Sequence, residues 1–229
     1  HLPGSGGHPK RSDHPKLMSD KISTITLPAN LPASIEAALE VLYSGEIVAF
    51  PTDTVYGLGA NAFYSPGIIK LFEAKGRDAN KAIAVLVGSL EQVELLTSPL
   101  NERAKKLINR FWPGALTVVV PKKADLPELL SAGNSIGIRM PNHPVALELL
   151  RKFGPIATTS ANLSGGNNPH DAVDVFRELN NRVPLILDGG KCPGGVPSTV
   201  VDCGSEEIKI LREGAITLAE INQVLKADQ

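Results

Sequence analysis

Short apolar runs of strand type recur along this chain, and segments with helically spaced apolar residues stand between most of them. That interleaving is the strongest constraint on the fold, because strands alternating with helices build a sheet flanked by helices. The runs are EIVAF (46–50), IAVLV (83–87), ALTVVV (115–120), SIGIRM (135–140), PIATT (155–159), PLILD (184–188), STVVDC (198–203) and EIKILR (207–212). Helices are expected over 33–44, 65–74, 89–96, 99–110, 143–153, 170–179 and 217–227. Ser65 reads as an N-cap ahead of Pro66, and Gly45 and Gly76 as C-terminal stops. The last three strands follow one another almost directly, which favours a mixed sheet over a doubly wound parallel one. One α/β domain is expected over 20–229. The polar start HLPGSGGHPKRSDHPKL lacks the apolar region of a signal peptide and reads as a disordered or tag-derived tail over 1–19.

Composition removes several classes of function. A formal net charge of −1 argues against a generally basic nucleic-acid-binding surface and leaves room for one basic patch. The only cysteines, Cys192 and Cys203, match no zinc spacing and make no disulfide framework. They read as reduced thiols of a cytoplasmic protein. No apolar run reaches the ~18 residues of a membrane span. GxGxxG and GxxxxGK[ST] are both missing, so neither a dinucleotide fingerprint nor a P-loop is supported. No GxSxG elbow occurs. Beyond the tail the only histidines are His143 and His170, both at helix starts, which gives little support to a serine–histidine hydrolase or a histidine-ligated metal.

Several stretches carry chemistry. FPTDTVYGLGA (50–60) runs from a strand into Thr52, Asp53, Thr54 and Tyr56, then Gly57 and Gly59. Ligands of open α/β sheets bind where strands end, and glycines let backbone approach a ligand closely. An ordinary turn, with Asp53 in local Asx bonds, explains the same residues. KGRDANK (75–81) places Lys75, Arg77 and Lys81 at a helix-to-loop junction. Cations are stabilised at a helix C-terminus in any case. The alternative is a polyphosphate site, with Arg77 as a two-pronged donor and the lysines as point charges. TTSANLSGGNNP (158–169) clusters hydroxyls and amides at a strand end, either as an anion-binding loop or as a polar surface loop. Trp112 in FWPGALTVVV is better explained by packing than by stacking on a ligand. Arg139 ends a strand, where it closes a salt bridge or holds a carboxylate.

Taken in order, PTDTVYGLG, Lys75-Gly76-Arg77, WPGALTVV, IRMP, Ser160-Ala161-Asn162, PSTVVD and LREG resemble the YrdC family of threonylcarbamoyl-AMP synthases. The resemblance runs from about residue 22 to 226 and matches the short, single-domain form. It implies a twisted mixed parallel/antiparallel sheet flanked by helices, with a concave basic cavity. It also implies a nucleotidyltransferase that makes L-threonylcarbamoyladenylate and pyrophosphate from L-threonine, bicarbonate and ATP. Partner proteins then transfer the threonylcarbamoyl group to tRNAs reading ANN codons. ATP is thus a substrate, Mg2+ is expected to bridge its phosphates, and the metal ligands are not identified. By resemblance Lys75 and Arg77 are the catalytic pair and grip the triphosphate. Lys81, Thr117, Ser160, Asn162 and Arg212 complete the ATP site, with Ser160 and Asn162 on the opposite wall. Thr54, Tyr56, Arg139, Thr158 and Ser198 shape the threonine pocket, Arg139 pairing with the amino acid's carboxylate.

The chain departs from the family pattern at Asp78, where proline often follows the arginine, at Ala82-Ile83, where proline-leucine often stands, and at Leu86, where some members carry histidine. Asp78 puts a carboxylate beside Arg77. Two other readings use the same residues. One is a non-catalytic RNA-binding module acting in tRNA or ribosome maturation. The other is a carbamoyl-transfer domain of the kind fused in hydrogenase-maturation proteins, whose zinc-finger and acylphosphatase-like regions have no counterpart here.

Overall fold

The computed structural model describes residues 22–76 and 83–227. The tail over 1–19 lies outside them. The strands are β1 (Ile25–Pro28), β2 (Val48–Phe50), β3 (Gly57–Asn61), β4 (Ala84–Leu86), β5 (Leu116–Pro121), β6 (Ser135–Arg139), β7 (Ile156–Ser160), β8 (Leu185–Asp188), β9 (Thr199–Asp202) and β10 (Lys209–Arg212). The helices are α1 (Pro32–Tyr43), α2 (Ser65–Lys75), α3 (Leu90–Val93), α4 (Glu102–Phe111), α5 (Pro144–Phe153), α6 (Ala172–Leu179) and α7 (Leu218–Lys226), with a 3-10 turn at Glu128–Leu130. All ten strands join one sheet in the order β1-β8-β2-β3-β7-β4-β6-β5-β9-β10. Pairs β1/β8, β8/β2, β4/β6 and β5/β9 are parallel and the rest antiparallel, so the mixed sheet expected from the sequence is the one observed.

Strand alternation sorts side chains between the two faces. Leu58, Val85, Val118, Ile138, Ala157, Ile186 and Val201 point to one face, where Leu71 of α2, Leu107 of α4, Val175 of α6 and Ile221 of α7 cover them. On the other face Val48, Phe50, Leu185 and Leu187 meet Ile35, Leu39 and Leu42 of α1 and Leu149 and Leu150 of α5. This second core ends at Leu86 and Ile156. The helices start on local caps. Asn101 accepts from Ala104 N at 2.8 Å, Asp171 from Asp174 N at 2.8 Å and Thr217 from Glu220 N at 3.2 Å, each satisfying an amide with no partner inside its helix.

Four local expectations change. The N-cap of α2 is Tyr64, in extended backbone; Ser65 is already helical and no side-chain cap bond forms there. The helix expected over 89–96 shrinks to α3. β1 is an additional edge strand with Ile25 exposed. β3 is an additional interior strand where a ligand-approaching glycine loop was expected. Its glycines serve close packing. A Cβ on Gly59 would stand 2.4 Å from Ile156 Cγ2 and 2.9 Å from Phe50 Cε1, and one on Gly57 2.7 Å from Thr158 Cγ2. Among the described residues no helix is long and apolar enough to cross a membrane.

Gly59→Ala should therefore overpack the β2–β3–β7 junction and cost about 1–3 kcal/mol. Gly133, where an added Cβ would have nothing within 4 Å, is the control. Urea unfolding should show a lowered midpoint for Gly59→Ala and a change within about 0.5 kcal/mol for Gly133→Ala.

Candidate active site

Beyond Leu86 and Ile156 the second face of the sheet opens into a cavity of about 690 Å³. Its floor follows from strand alternation. β4 presents Ala84 and Leu86, β6 Gly137 and Arg139, β5 Thr117 and Val119, and β7 Thr158 and Ser160. A row of side chains crosses the strands in register. Gly59 pairs with Thr158, Thr158 with Ala84, Ala84 with Gly137, and Gly137 with Val119. Small residues in that row hollow the face. Thr52, Thr54 and Tyr56 enter from the β2–β3 connection, and Pro197, Ser198, Leu211 and Arg212 from the β9–β10 end. The cavity thus gathers Thr54, Tyr56, Thr117, Arg139, Thr158, Ser160, Ser198 and Arg212 from segments far apart in the chain. Arg77 and Lys81, and with them Asp78, lie outside the described residues.

Arg139 occupies one corner. Its side chain is 7% exposed and its Nη1 donates to Asp53 Oδ1 at 2.6 Å and to Gly114 O at 3.3 Å. Nη2 donates to Thr54 Oγ1 at 3.2 Å. Asp53 is therefore an ion-pair partner, and local Asx bonding does not describe it. Arg139 thus holds an internal carboxylate, in addition to any ligand carboxylate of the kind the resemblance implies. His143 caps α5, its Nδ1 accepting from Val145 N at 3.1 Å. Burial lowers its pKa, with the Asp53 charge pulling the other way.

Arg212 lines the same cavity from the end of β10. Nε and Nη2 donate to Ser198 O at 3.1 and 2.9 Å, and Nη2 also to Ser198 Oγ at 3.1 Å. Ser198 Oγ lies 2.9 Å from Thr117 Oγ1. Among the described residues these partners are all neutral. Partial burial, and then the like charge of Arg139, lower the Arg212 pKa. Both guanidiniums line the same cavity, and of the two only Arg139 has a carboxylate partner among the described residues.

Lys75 ends α2 but does not serve its own helix terminus alone. It is 8% exposed, and its Nζ donates to Ser160 O at 2.5 Å, Asn162 Oδ1 at 3.2 Å and Ser160 Oγ at 3.3 Å. Ser160 Oγ donates to Asn162 Oδ1 at 2.6 Å. Ser160 and Asn162 therefore sit against Lys75, not across the cavity from it. Two polar groups nearby carry no sequence signal of their own. Asn168 lines the cavity, and Ser164 Oγ is buried with no hydrogen-bond partner among the described residues. Both lie inside the SANLSGGNNP loop, whose composition marks a polar segment without singling them out.

Family membership rests on three comparisons. The Sua5/YciO/YrdC family model, described as telomere recombination, matches residues 40–214, so the chain belongs to that family. It is 44% identical over 211 residues to a threonylcarbamoyl-AMP synthase of Bacillus subtilis, covering 91% of this chain and 59% of the relative. It is 40% identical over 202 residues to a putative threonylcarbamoyl-AMP synthase of Mycobacterium tuberculosis, covering 88% and 93%. The solved structure of Pyrococcus abyssi Sua5 in complex with L-threonine superposes with a TM-score of 0.84 at 39% identity, over 89% of this chain and 61% of that one. The chain thus spans about three-fifths of the length of the Bacillus and Pyrococcus proteins.

A loop closes over the β2–β3 connection. Tyr56 Oη donates to Gly190 O at 2.7 Å and accepts from Gly189 N at 3.1 Å, so this hydroxyl holds the loop while the fully buried ring packs in the core of the first face. Burial pushes the Tyr56 pKa up. Cys192 N donates to His170 O at 2.7 Å, and a Cβ on Gly194 would stand 2.3 Å from Thr54 O. Both cysteines are free and buried; burial raises the Cys192 thiol and pushes Cys203 up to about 12. At pH 8 neither should react quickly with a thiolate-selective reagent. Tyr56→Phe removes the loop's two anchoring bonds, so Cys192 should label faster in that variant while Cys203 stays slow. Equal acceleration at both cysteines indicates global unfolding instead.

Proposed function

We propose that this chain is a threonylcarbamoyl-AMP synthase, a nucleotidyltransferase that joins L-threonine, bicarbonate and ATP and releases pyrophosphate. The observation that carries the reading is the pairing of two unlike corners in one cavity. The Arg139–Asp53–Thr54 corner is close to electrically neutral, whereas Arg212 is a cation held by neutral groups. Relatives that carry this activity in their names, and one that binds L-threonine, support it. The zwitterionic amino acid suits the first corner and the polyanionic nucleotide the second.

The chemistry needs little acid–base machinery. Threonine's neutral amine adds to carbon dioxide released from bicarbonate and gives up a proton to water, forming an N-carboxylate that is already an anionic nucleophile. One of its oxygens attacks the α-phosphorus of ATP in line, a new O–P bond forms, and the bond to pyrophosphate breaks. The protein contributes positioning and stabilisation of developing charge. In this reading Thr54, Tyr56, Arg139, Thr158 and Ser198 shape the amino-acid pocket. Thr117 and Arg212 take the nucleotide, with Lys75, Ser160 and Asn162 at its phosphates and Arg77 and Lys81 joining from the neighbouring segment. Ser164 adds a hydroxyl that a bound phosphate oxygen would satisfy.

Among the described residues no group of three or more His, Cys, Asp or Glu is placed to hold a metal ion. Magnesium would reach this site with ATP, where it would neutralise charge on the phosphates that Lys75 and Arg212 are proposed to hold. The product would supply threonylcarbamoyl transfer to tRNAs reading ANN codons, in the cytoplasm. The enclosed position of Arg139, 6% exposed, does not favour the RNA-binding reading.

Incubation with ATP, Mg2+, L-threonine and bicarbonate should yield threonylcarbamoyl-AMP by mass spectrometry and pyrophosphate in equal amount. Omitting threonine or bicarbonate should abolish both, as should Lys75→Ala combined with Arg77→Ala. Arg212→Ala should raise the ATP KM by roughly tenfold, the loss expected for a charge-assisted hydrogen bond. A folded wild-type protein that forms no product under these conditions overturns the reading.

A further inference from the structure

The Arg139 corner contains a residue whose part in the reaction is not explained by binding a substrate directly. Asp53 is largely enclosed, with its side chain 15% exposed against 7% for that of Arg139. An ion pair so enclosed is costly to desolvate and often adds little stability. Its position beside the cavity points to another role. The carboxylate fixes Nη1, and the Thr54 hydroxyl fixes Nη2.

The hydroxyl is itself oriented. Thr52 Oγ1 donates to Val55 O at 2.6 Å, and Thr52 Oγ1 and Thr54 Oγ1 lie 3.1 Å apart. Each hydroxyl has one proton, so the proton of Thr52 is committed to Val55. Thr54 must then donate to Thr52 and accept from Arg139. The chain from Arg139 through Thr54 and Thr52 to Val55 runs in one direction, and Asp53 anchors its charged end.

Charge makes a second argument. Without Asp53 the cavity would hold two guanidiniums, Arg139 and Arg212, with no carboxylate partner among the described residues, and a polyanion would have two places to settle. With Asp53 the Arg139 corner is neutral overall, so it attracts a zwitterion with directed hydrogen bonds while repaying little for binding a triphosphate.

We propose that Asp53 is a positioning and specificity-determining residue: it aims Arg139 at the amino acid's carboxylate and keeps that corner from being occupied by the phosphates of the nucleotide. This inference rests on the function proposed above and assigns within it how the two substrates are sorted.

The test uses Asp53→Asn, which is nearly isosteric and removes only the charge, Asp53→Ala, which removes the anchor as well, and Asp53→Glu as the conservative variant. Asp53→Asn should raise the threonine KM roughly tenfold or more, the scale of losing a charge-assisted hydrogen bond. The ATP KM should stay within about twofold and kcat at saturating threonine within about threefold. Pyrophosphate should become a competitor of threonine in this variant and not in the wild type. Asp53→Ala should exceed Asp53→Asn in its effect on threonine, and Asp53→Glu should recover part of it. Calorimetric titration of L-threonine into each folded protein gives the same comparison without turnover.

An unchanged threonine affinity, or parallel rises in both KM values with no new competition by pyrophosphate, overturns the inference. Should Asp53→Asn fail to fold, Asp53→Glu decides it, since a displaced carboxylate must also weaken threonine selectively. A wild-type protein that neither binds threonine nor forms the adenylate sinks the function reading, and this inference with it. An active wild type with indifferent Asp53 variants sinks the inference alone.

Discussion

Helices cover one face of this sheet across most of its width and the other at one end only, and the site depends on that asymmetry. Neighbouring residues along each strand must serve opposite faces. On the first face that means Val85, Val118, Ile138 and Ala157, all packed under helices. Their immediate neighbours Ala84, Thr117, Gly137, Arg139 and Thr158 are thereby committed to the open face. A one-residue slip in any of these strands would send Arg139 or Thr117 into the apolar core and Ile138 or Val118 into the cavity. The core thus holds the register, and the register holds the site.

Small side chains and polar ones divide the work on that open face. Gly137 and Ala84 sit next to each other across β6 and β4 and supply depth. A Cβ on Gly137 would stand 3.0 Å from Thr117 Cγ2, so the hollow is as wide as the neighbouring side chains permit. The polar groups lie around it, at strand ends and in the connections. Arg139 is the last residue of β6, Ser160 the last of β7 and Arg212 the last of β10. A strand end frees the side chain from the covering core while the ladder still fixes its backbone. That combination is why charged groups can be held rigidly here without being buried away from a ligand.

The sheet was legible in the sequence where strands are long apolar runs. It was not legible in β3, where GLGAN looks like a loop because two glycines carry no strand propensity. Those glycines exist for a contact with Phe50, Thr158 and Ile156 that no local pattern encodes. The cavity lining was legible in part, since eight of the expected site residues line it, but their pairings were not. Asp53 and Arg139 stand 86 positions apart, and Lys75 and Ser160 stand 85 apart. Composition marks each as polar at an element's end, while only the sheet order brings β7 beside β4 and β3. The resemblance implied Arg139 as a partner for a ligand's carboxylate, and the structure adds an internal carboxylate, Asp53, beside it.

Lys75 illustrates what such pairing does to a functional assignment. An ammonium offers three donors, and its contacts to Ser160 and Asn162 account for the bonds described above. Those contacts are unequal. The bond to Ser160 O is short, and the bonds to Asn162 Oδ1 and Ser160 Oγ are longer by 0.7 Å or more. The first joins α2 to the end of β7 and is structural. The longer two lie within a closed triangle, because Ser160 Oγ also donates to Asn162 Oδ1. An arriving phosphate oxygen has stronger claim on the ammonium than a neutral amide oxygen has. Lys75 is thus a fastening between helix and strand, the phosphate contact proposed for it is a second role, and truncating it tests both roles at once. Separating them needs a side chain that reaches Ser160 O without positive charge, with fold monitored apart from turnover.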